Sequence, residues 1–305
     1  MTTSSSPRPA GRSRAPRRRK KSGPAAGSRW NPPSDRARPD DGIASDALVH
    51  AFADQVYLLA RRSVVRTARQ PANVISPLLF PMLLLAVNAG GLKAETRLPG
   101  FPTTSFVAFA LAVPFIQGAL FATMNAGTDL ARDIQTGFLN RLTLTPMRRL
   151  AVLGGQLGGV VTMGLVQAVV YLSVGLAVGV HVKAGPLGIL VLLVFAVFVA
   201  LGFGAVGALA ALRTGSGEAV QGLFPVFFVF LFISSMNIPR NLMEITWFRD
   251  VATANPVSYL LECVRSLVIT GWDGEALALG FGITAAITVI SLAFASWALK
   301  VRMAR

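Results

Sequence analysis

Six apolar runs, each close to the length of a membrane-spanning helix, constrain this chain more than any other feature. A helix needs about 20 apolar residues to cross the roughly 30 Å hydrocarbon core of a bilayer. The runs lie at approximately residues 74–92, 104–126, 153–180, 187–211, 219–236 and 277–299. They are too long for strands and show no period-two alternation, which argues against a β-barrel. The sequence therefore predicts an all-α integral membrane protein with six transmembrane helices.

The composition agrees with that class, because 53% of the 305 residues are hydrophobic and only 14% are charged. An ordinary soluble domain has about 25% charged residues. Lys and Arg residues then orient the helices, because cytoplasmic loops carry an excess of them. With both termini on one side, the opposite loops hold only six of the 29: Lys93, Arg97, Lys183, Arg240, Arg249 and Arg265. We therefore predict a multi-pass protein of the inner (plasma) membrane with cytoplasmic N and C termini.

Two kinds of segment precede the first run. Residues 1–45 are rich in Ser, Pro, Arg and Gly and predict a disordered basic cytoplasmic tail. Solvation or contact with anionic lipid is favoured for this tail over nucleic-acid binding. Residues 46–70 place apolar residues such as Val56 and Leu59 on one helical face, followed by arginines, a pattern typical of an amphipathic interfacial helix. An ordinary helix packed on the bundle is the alternative.

The chain lacks the sequence motifs of an ATPase or of a membrane-embedded enzyme. A P-loop requires a Lys directly after a Gly, and no lysine here has that neighbour. There is no HExxH pair, and the single cysteine excludes an internal disulfide and a cysteine-based metal site. No ionisable residue lies near the middle of a predicted span, which argues against coupling to protons or sodium ions. We therefore predict no catalytic residue, no metal site and no cofactor bound by this chain.

Neutral polar and aromatic side chains within the spans are candidates to line a substrate path. They are Gln117, Asn125, Gln167, Tyr171 and Phe228. Hydrogen bonding between helices explains the polar ones equally well. Small residues four apart, such as Gly154 and Gly158, predict close helix packing without deciding between one subunit and two.

The segment 129–149 separates the second and third apolar runs and is too polar to lie in lipid. Asp129 is suited to cap a helix start, Gly137 to end a helix, and Pro146 to break the next segment. This is the only large loop between spans on the predicted cytoplasmic side, so a soluble partner is expected to bind there. A loop whose arginines serve only topology is the alternative.

The segment 237–276 is too long for an unstructured loop and too polar to span. It predicts short helices that partly re-enter the membrane on the outer side. Asn255 and Pro256 predict a helix start, because proline fits the first helical position. Glu262 and Arg265 are three residues apart and are expected to pair on the face of that helix.

Three stretches resemble the type-2 ABC transporter permeases, and among them the daunorubicin-resistance permease branch, over roughly residues 47–300. The first is the basic helix ARRSVVRTARQPANVI that leads into the first run. The second runs from Asp133 to Gly154, and the third begins with SSMNIPR at Ser234 and includes NPVSYLLECVRSL, which begins at Asn255. Two positions depart from the family pattern: Asn140, where many relatives have an acidic residue, and Gln156, where a basic one is usual.

The resemblance implies the permease subunit of an ATP-driven exporter that moves an amphipathic drug-like or antibiotic compound out of the cell. Residues 129–149 would form a coupling loop that docks on a separate P-loop ATP-binding subunit, which holds the ATP and Mg. The docking residues that it implies are Asp129, Arg132, Asp133, Gly137, Phe138, Arg141 and Pro146. The implied outer gate consists of Asn255, Pro256, Glu262 and Arg265.

A second permease copy, in a homodimer or a heterodimer, and membrane lipids are the other expected partners. Residues 46–305 would form the whole transmembrane domain. Export of a lipid or glycan by the same type of complex is an alternative function. A passive channel or a membrane scaffold without an ATPase partner is the alternative from another class.

Overall fold

The computed structural model describes residues 41–142 and 149–302. Within these ranges every regular element is helical and there is no strand. Residues 1–40 of the tail predicted at 1–45, and Pro146 of the predicted docking residues, lie outside these ranges, whereas residues 41–45 belong to the first helix. The all-helical prediction is therefore confirmed for the described part of the chain.

The helices follow one another along the chain with short connections. They are α1 (Asp41–Ala68), α2 (Pro71–Gly91), α3 (Phe106–Ala110), α4 (Ala112–Gln135), α5 (Phe138–Leu142), α6 (Arg149–Ala177), α7 (Gly185–Thr214), α8 (Gly217–Gln221), α9 (Leu223–Phe232), α10 (Thr246–Ala254), α11 (Pro256–Arg265) and α12 (Gly274–Arg302). Short 3-10 turns lie at Lys93–Arg97 and Arg240–Leu242, and a π-helical turn follows α11 at Ser266–Thr270.

Five of the described helical stretches are long and apolar enough to cross a membrane. They are Val74–Gly91, Phe106–Gln135, Ala151–Ala177, Gly185–Thr214 and Gly274–Arg302, and each overlaps a predicted run. The run predicted at 219–236 forms the shorter apolar stretch Gly217–Phe232, in which α8 ends and α9 begins around Gly222. A sixth span at that position stays a prediction.

The stretch that contains α4 is the centre of the bundle. Of its most apolar part 83% is buried inside the chain, against 17% to 44% for the other four long stretches. It packs along α7, where a Cβ added at Gly207 would lie 2.0 Å from the carbonyl oxygen of Thr123. The hydroxyl of Thr123 also donates a hydrogen bond to the carbonyl of Phe203 at 2.9 Å. Because the backbones touch, α7 fixes the position of α4 and hence of the groups at its two ends.

α1 packs on the first half of α6 through the small residues there. A Cβ added at Gly155 would lie 2.2 Å from Cβ of Leu59, and one at Gly159 would lie 2.2 Å from Oγ of Ser63. Gly154 faces Val56 in the same way, with a nearest distance of 3.4 Å. These glycines therefore serve helix packing within one chain.

Candidate functional site

Two groups of charged residues lie near the two ends of α4. One group, called here the Arg–Asp cluster, consists of Arg62, Arg66, Asp129, Asp133 and Gln156. The other surrounds Arg265, which contacts the carbonyl of Phe109 just before α4 begins. At 1.5 Å of rise per helical residue the two ends are roughly 35 Å apart, about the thickness of a membrane.

Asp133 is the centre of the Arg–Asp cluster. The two terminal nitrogens of Arg62 each donate to one of its carboxylate oxygens at 3.1 Å, and Nη1 of Arg66 donates to Oδ1 at 2.9 Å. Nε2 of Gln156 donates to Oδ2 at 2.6 Å. Only 3% of Asp133 is exposed. Arg66 also pairs with Asp129 at 3.0 Å, so two cations balance two anions around a buried carboxylate, with the Arg62 side chain partly exposed.

Helical spacing explains how this cluster forms. Arg62 and Arg66 are four residues apart on α1, and Asp129 and Asp133 are four apart on α4. Residues four apart share one helix face, so each helix presents a matched pair to the other. The sequence interpretation did not connect these pairs, although the two i, i+4 spacings were a signal that could have found them.

The chain leaves α4 immediately beyond the cluster. α4 ends at Gln135, and Gly137 has φ +71°, the left-handed conformation in which glycine is favoured at a helix end. Phe138 begins α5, and the Arg62 guanidinium lies 3.8 Å from the centre of its ring. Arg132 and Arg141 are exposed, and within the described residues neither side chain has a hydrogen-bond or ion-pair partner. Among the described residues nothing occupies these two guanidinium groups, so both are available for contact with another molecule.

The prediction that a helix starts at Asp129 is wrong, because α4 continues without a break from Ala112 to Gln135. The Asp129 carboxylate is occupied by Arg66 and does not cap a helix. The helix end predicted at Gly137 is confirmed. Of the predicted docking residues, the structure brings Asp129, Asp133 and Phe138 into or against the Arg–Asp cluster. Docking by any of these residues stays a prediction.

The predicted substrate-path residues are distributed over two small cavities, one fully buried position and one aromatic group. Asn125 and Gln167 line one cavity of about 10 Å³, and Gln167 and Tyr171 line a second of about 10 Å³. Each has room for about one water molecule. Gln117 is fully buried, and its amide has no hydrogen-bond partner among the described residues. Phe228 belongs to a separate aromatic group and lies 4.7 Å from Phe224 between ring centres.

Asn255 and Pro256 start α11, as the sequence predicts. Oδ1 of Asn255 accepts a hydrogen bond from the amide of Val257 at 2.9 Å, which caps the helix. Its Nδ2 donates to the carbonyls of Phe230 at 2.5 Å and of Ile233 at 3.3 Å. Asn255 therefore joins the beginning of α11 to the end of α9.

The expected pair of Glu262 with Arg265 does not form. Glu262 instead accepts two hydrogen bonds from Arg240, at 2.7 Å from Nε and 2.5 Å from Nη2. Arg240 also lies 4.5 Å from the centre of the Tyr259 ring. The 3-10 turn at Arg240–Leu242 brings this competing cation to α11, and bidentate geometry favours it over a neighbour on the same helix.

Arg265 turns away from Glu262 and is buried, with 7% of the residue exposed. Its guanidinium donates to three backbone carbonyls, those of Phe109 at 3.1 Å, Ser235 at 2.6 Å and Met236 at 2.6 Å. It also lies 3.5 Å from the centre of the Phe109 ring. This residue therefore ties α11 to the end of α3 and to the chain that follows α9.

Burial acts to lower the pKa of both Arg240 and Arg265, whereas the negative charge of Glu262 acts to raise it. Burial lowers the pKa of Arg265 to about 9 against the opposing charge of Glu262, so this side chain is still a cation at neutral pH. Burial also acts to lower the pKa of Arg240, but the hydrogen bond and charge of Glu262 outweigh it and the pKa is raised. The two arginines are thus both charged, and only Arg240 has a carboxylate partner.

A cavity of about 480 Å³ opens beside these residues. Charged and polar side chains from the 3-10 turn, α10, α11 and the chain before α12 line it, among them Arg240, Asn241, Arg249, Glu262, Arg265 and Asp273. It is within the size range of small-molecule sites in proteins. It is called the arginine-lined cavity below.

Comparison with known proteins agrees with this architecture. The model of the ABC-2 type transporter family matches residues 54–269, which include both charged groups. The daunorubicin resistance ABC transporter permease protein DrrB1 of Streptomyces coeruleorubidus is 28% identical over 243 residues, covering 76% of this chain and 82% of that protein. The probable doxorubicin resistance ABC transporter permease protein DrrC of Mycobacterium tuberculosis is 26% identical, covering 72% of this chain and 79% of that protein. A putative transport permease, ycf38, of Pyropia yezoensis is 27% identical, covering 72% and 75%.

Such a bundle of long apolar helices, matched by the family model over most of its length, defines an ABC-type membrane permease. The chain belongs to the ABC-2 type transporter family. It is a multi-pass protein of the cell membrane, as predicted from its apolar runs.

Proposed function

We propose that this chain is the membrane subunit of an exporter that is driven by a separate P-loop ATP-binding subunit and moves an amphipathic, drug-like compound out of the cell. The names of two relatives, which refer to daunorubicin and doxorubicin resistance, support this substrate class. ATP and Mg would be bound by the partner subunit, and a second permease copy would complete the complex. Six spans are proposed, with Gly217–Phe232 as the shorter one, and both termini in the cytoplasm.

The observation that carries the proposal is the arrangement of residues 129–142, the part of the 129–149 loop that the structure describes before Arg149. Its beginning is held from within the chain by the Arg–Asp cluster, while Arg132 and Arg141 are exposed without partners among the described residues. A docking surface needs both properties, because a force applied to it is transmitted only if its base is rigid. In this proposal Asp129 and Asp133 hold the loop in position, and Arg132 and Arg141 make the contact. α1 contributes Arg62 and Arg66 to the cluster and would lie at the cytoplasmic membrane surface.

The arginine-lined cavity and α11 would then lie on the outer side, roughly 35 Å away along α4. ATP binding would draw two coupling loops together and change the tilt of the long helices. Asn255 and Arg265 join α11 to α9 and α3, so a change in helix tilt would strain these joints first. We propose that the segment 237–276 opens there as an outer gate, partly re-entering the membrane.

The docking part of the proposal is tested by charge reversal. The tagged full-length chain is co-purified from its own host with any P-loop protein that binds it, and ATPase activity is measured in lipid. We expect Arg141→Glu to lower recovery of that protein roughly tenfold, since a like charge at a contact costs one to several kcal/mol. Lys300→Glu is the matched control, because Lys300 is exposed on the same proposed side at the end of α12. Equal recovery with both variants would refute docking through Arg141.

The orientation is tested independently by cysteine labelling. Cys263 is the single cysteine and is fully buried, so it gives a low background. In intact cells an impermeant maleimide should label Asp250→Cys, and it should label Arg141→Cys only after the membrane is opened. The reverse pattern would contradict the proposed topology.

A further inference from the structure

The lining of the arginine-lined cavity has more positively charged side chains than negatively charged ones. Glu262 is paired with Arg240, and Oδ1 of Asp273 accepts hydrogen bonds from the amides of Glu275 at 3.1 Å and Ala276 at 3.2 Å. The charge of Glu262 is therefore balanced by Arg240, whereas Asp273 is held by neutral amides and keeps its negative charge, so the lining has three cations, two anions and a net charge of +1. The cations that remain on the lining are Arg249 and Arg265.

Neither of these two cations has a carboxylate partner among the described residues. Arg249 is exposed on α10 and its side chain makes no hydrogen bond there. Arg265 is buried and uses three of its five N–H groups on carbonyl oxygens, which leaves one N–H on each terminal nitrogen. A buried charge without a counter-charge is costly. An anion entering the cavity would compensate that cost.

The surroundings of the cavity indicate where the anion comes from. Trp247 is 63% exposed on α10, and Trp272 is 52% exposed beside Asp273. Ile245, the residue directly before α10, is 59% exposed. Exposed tryptophans next to apolar residues are typical of the level of lipid headgroups. At that level the most abundant oxyanion is the phosphate of the lipid itself.

We propose that the arginine-lined cavity binds the phosphate of an anionic phospholipid headgroup, with Arg249 at its entrance and Arg265 at its base. Guanidinium groups match phosphate geometry by paired hydrogen bonds. Binding of a net anionic headgroup is preferred over a zwitterionic one, because an ammonium group would be repelled by the same arginines. The assignment to the outer leaflet rests on the topology proposed above, and the effect on the gate rests on the proposed gate. A lipid bound there would occupy the space between α10 and α11 and so stabilise the gate segment when it is closed.

The test uses the purified full-length chain in neutral detergent and native mass spectrometry. Dioctanoyl phosphatidylglycerol, dioctanoyl phosphatidylcholine and inorganic phosphate are titrated separately against the wild type and two variants. Arg249→Gln removes the cation at the entrance without removing a partner within the described residues. Arg97→Gln is the matched control, since Arg97 is an exposed arginine that does not line the cavity.

We expect phosphatidylglycerol to bind more tightly than phosphatidylcholine to the wild type and to Arg97→Gln. Arg249→Gln should weaken phosphatidylglycerol binding roughly tenfold, the effect of one charge-assisted hydrogen bond. Equal binding by Arg249→Gln and Arg97→Gln would overturn the site. Binding of inorganic phosphate with the same dependence on Arg249 would overturn the lipid as its source in favour of a soluble anion. No ATPase partner takes part, so failure of this test and failure of the proposed export function are distinguishable.

Discussion

The Arg–Asp cluster and Arg265 are buried charged groups near the two ends of one helix, and their charges are balanced in different ways. In the cluster, two arginines face two aspartates, and Asp133 alone accepts four hydrogen bonds. Arg265 instead faces three neutral carbonyls and an aromatic ring. Both arrangements join three parts of the chain, but pulling the joined helices apart has different consequences in the two places.

Separating α1 from α4 would break three hydrogen bonds to the buried Asp133 carboxylate and the Arg66–Asp129 ion pair, in all of which both partners are charged. Separating α11 from α3 and α9 would break three hydrogen bonds from one cation to neutral carbonyls and, within the described residues, no ion pair of Arg265. The first joint is therefore expected to stay intact during a conformational change, and the second is expected to open. This difference agrees with a fixed base for the 129–149 loop and a movable segment at 237–276.

Removal of the central anion should have the largest effect. Asp133→Asn keeps the shape of the side chain but leaves Arg62 and Arg66 without their main counter-charge. We expect a loss of about 3 kcal/mol of stability, toward the low end for a broken buried pair because 40% of the Arg62 side chain is exposed. The apparent melting temperature in detergent measures it. Asp250→Asn, an exposed aspartate on α10, is the control, and an equal shift in both variants would contradict the role of the cluster.

Loss of the buried cation should have a smaller effect. Arg265→Met leaves three carbonyls without a donor but no unpaired ion, so we expect a loss of about 2 kcal/mol. Arg265→Lys should recover part of it, since one ammonium group reaches fewer carbonyls. A second measurement reports loosening directly, because Cys263 is fully buried and should react faster with a maleimide in Arg265→Met. Unchanged reactivity would show that Arg265 does not hold α11 in place.

The sequence predicts those parts of the fold that depend on local physics. Apolar length alone locates five long helices, and proline geometry with an asparagine cap locates the start of α11. The stretch at Gly217–Phe232 is apolar throughout, but a helix break at Gly222 shortens it in a way that average hydropathy does not show.

Side-chain partners across the chain are harder to predict. Asp129 has the residue type of a helix cap, yet Arg66 on another helix occupies its carboxylate. Such pairs join residues that are 67 or 71 positions apart in sequence, so only the packing of α1 on α4 and α6 decides them. The matched i, i+4 spacing on each helix was the only available local signal.

The smallest expected effect on stability comes from the ion pair of Glu262. It distinguishes Arg240 from Arg265 as the partner of that carboxylate. Glu262→Arg alone should lose at most about 1 kcal/mol, because the pair with Arg240 is partly exposed, at 24% and 27% of the two side chains. The swap Arg240→Glu with Glu262→Arg should restore most of that loss and any accompanying loss of export. The swap Arg265→Glu with Glu262→Arg should make both losses larger, because it places a carboxylate against the carbonyls of Ser235 and Met236. Melting temperatures and export assays of the same variants measure both effects. Restoration by the second swap and not by the first would mean that the pairing expected from helical spacing governs this segment.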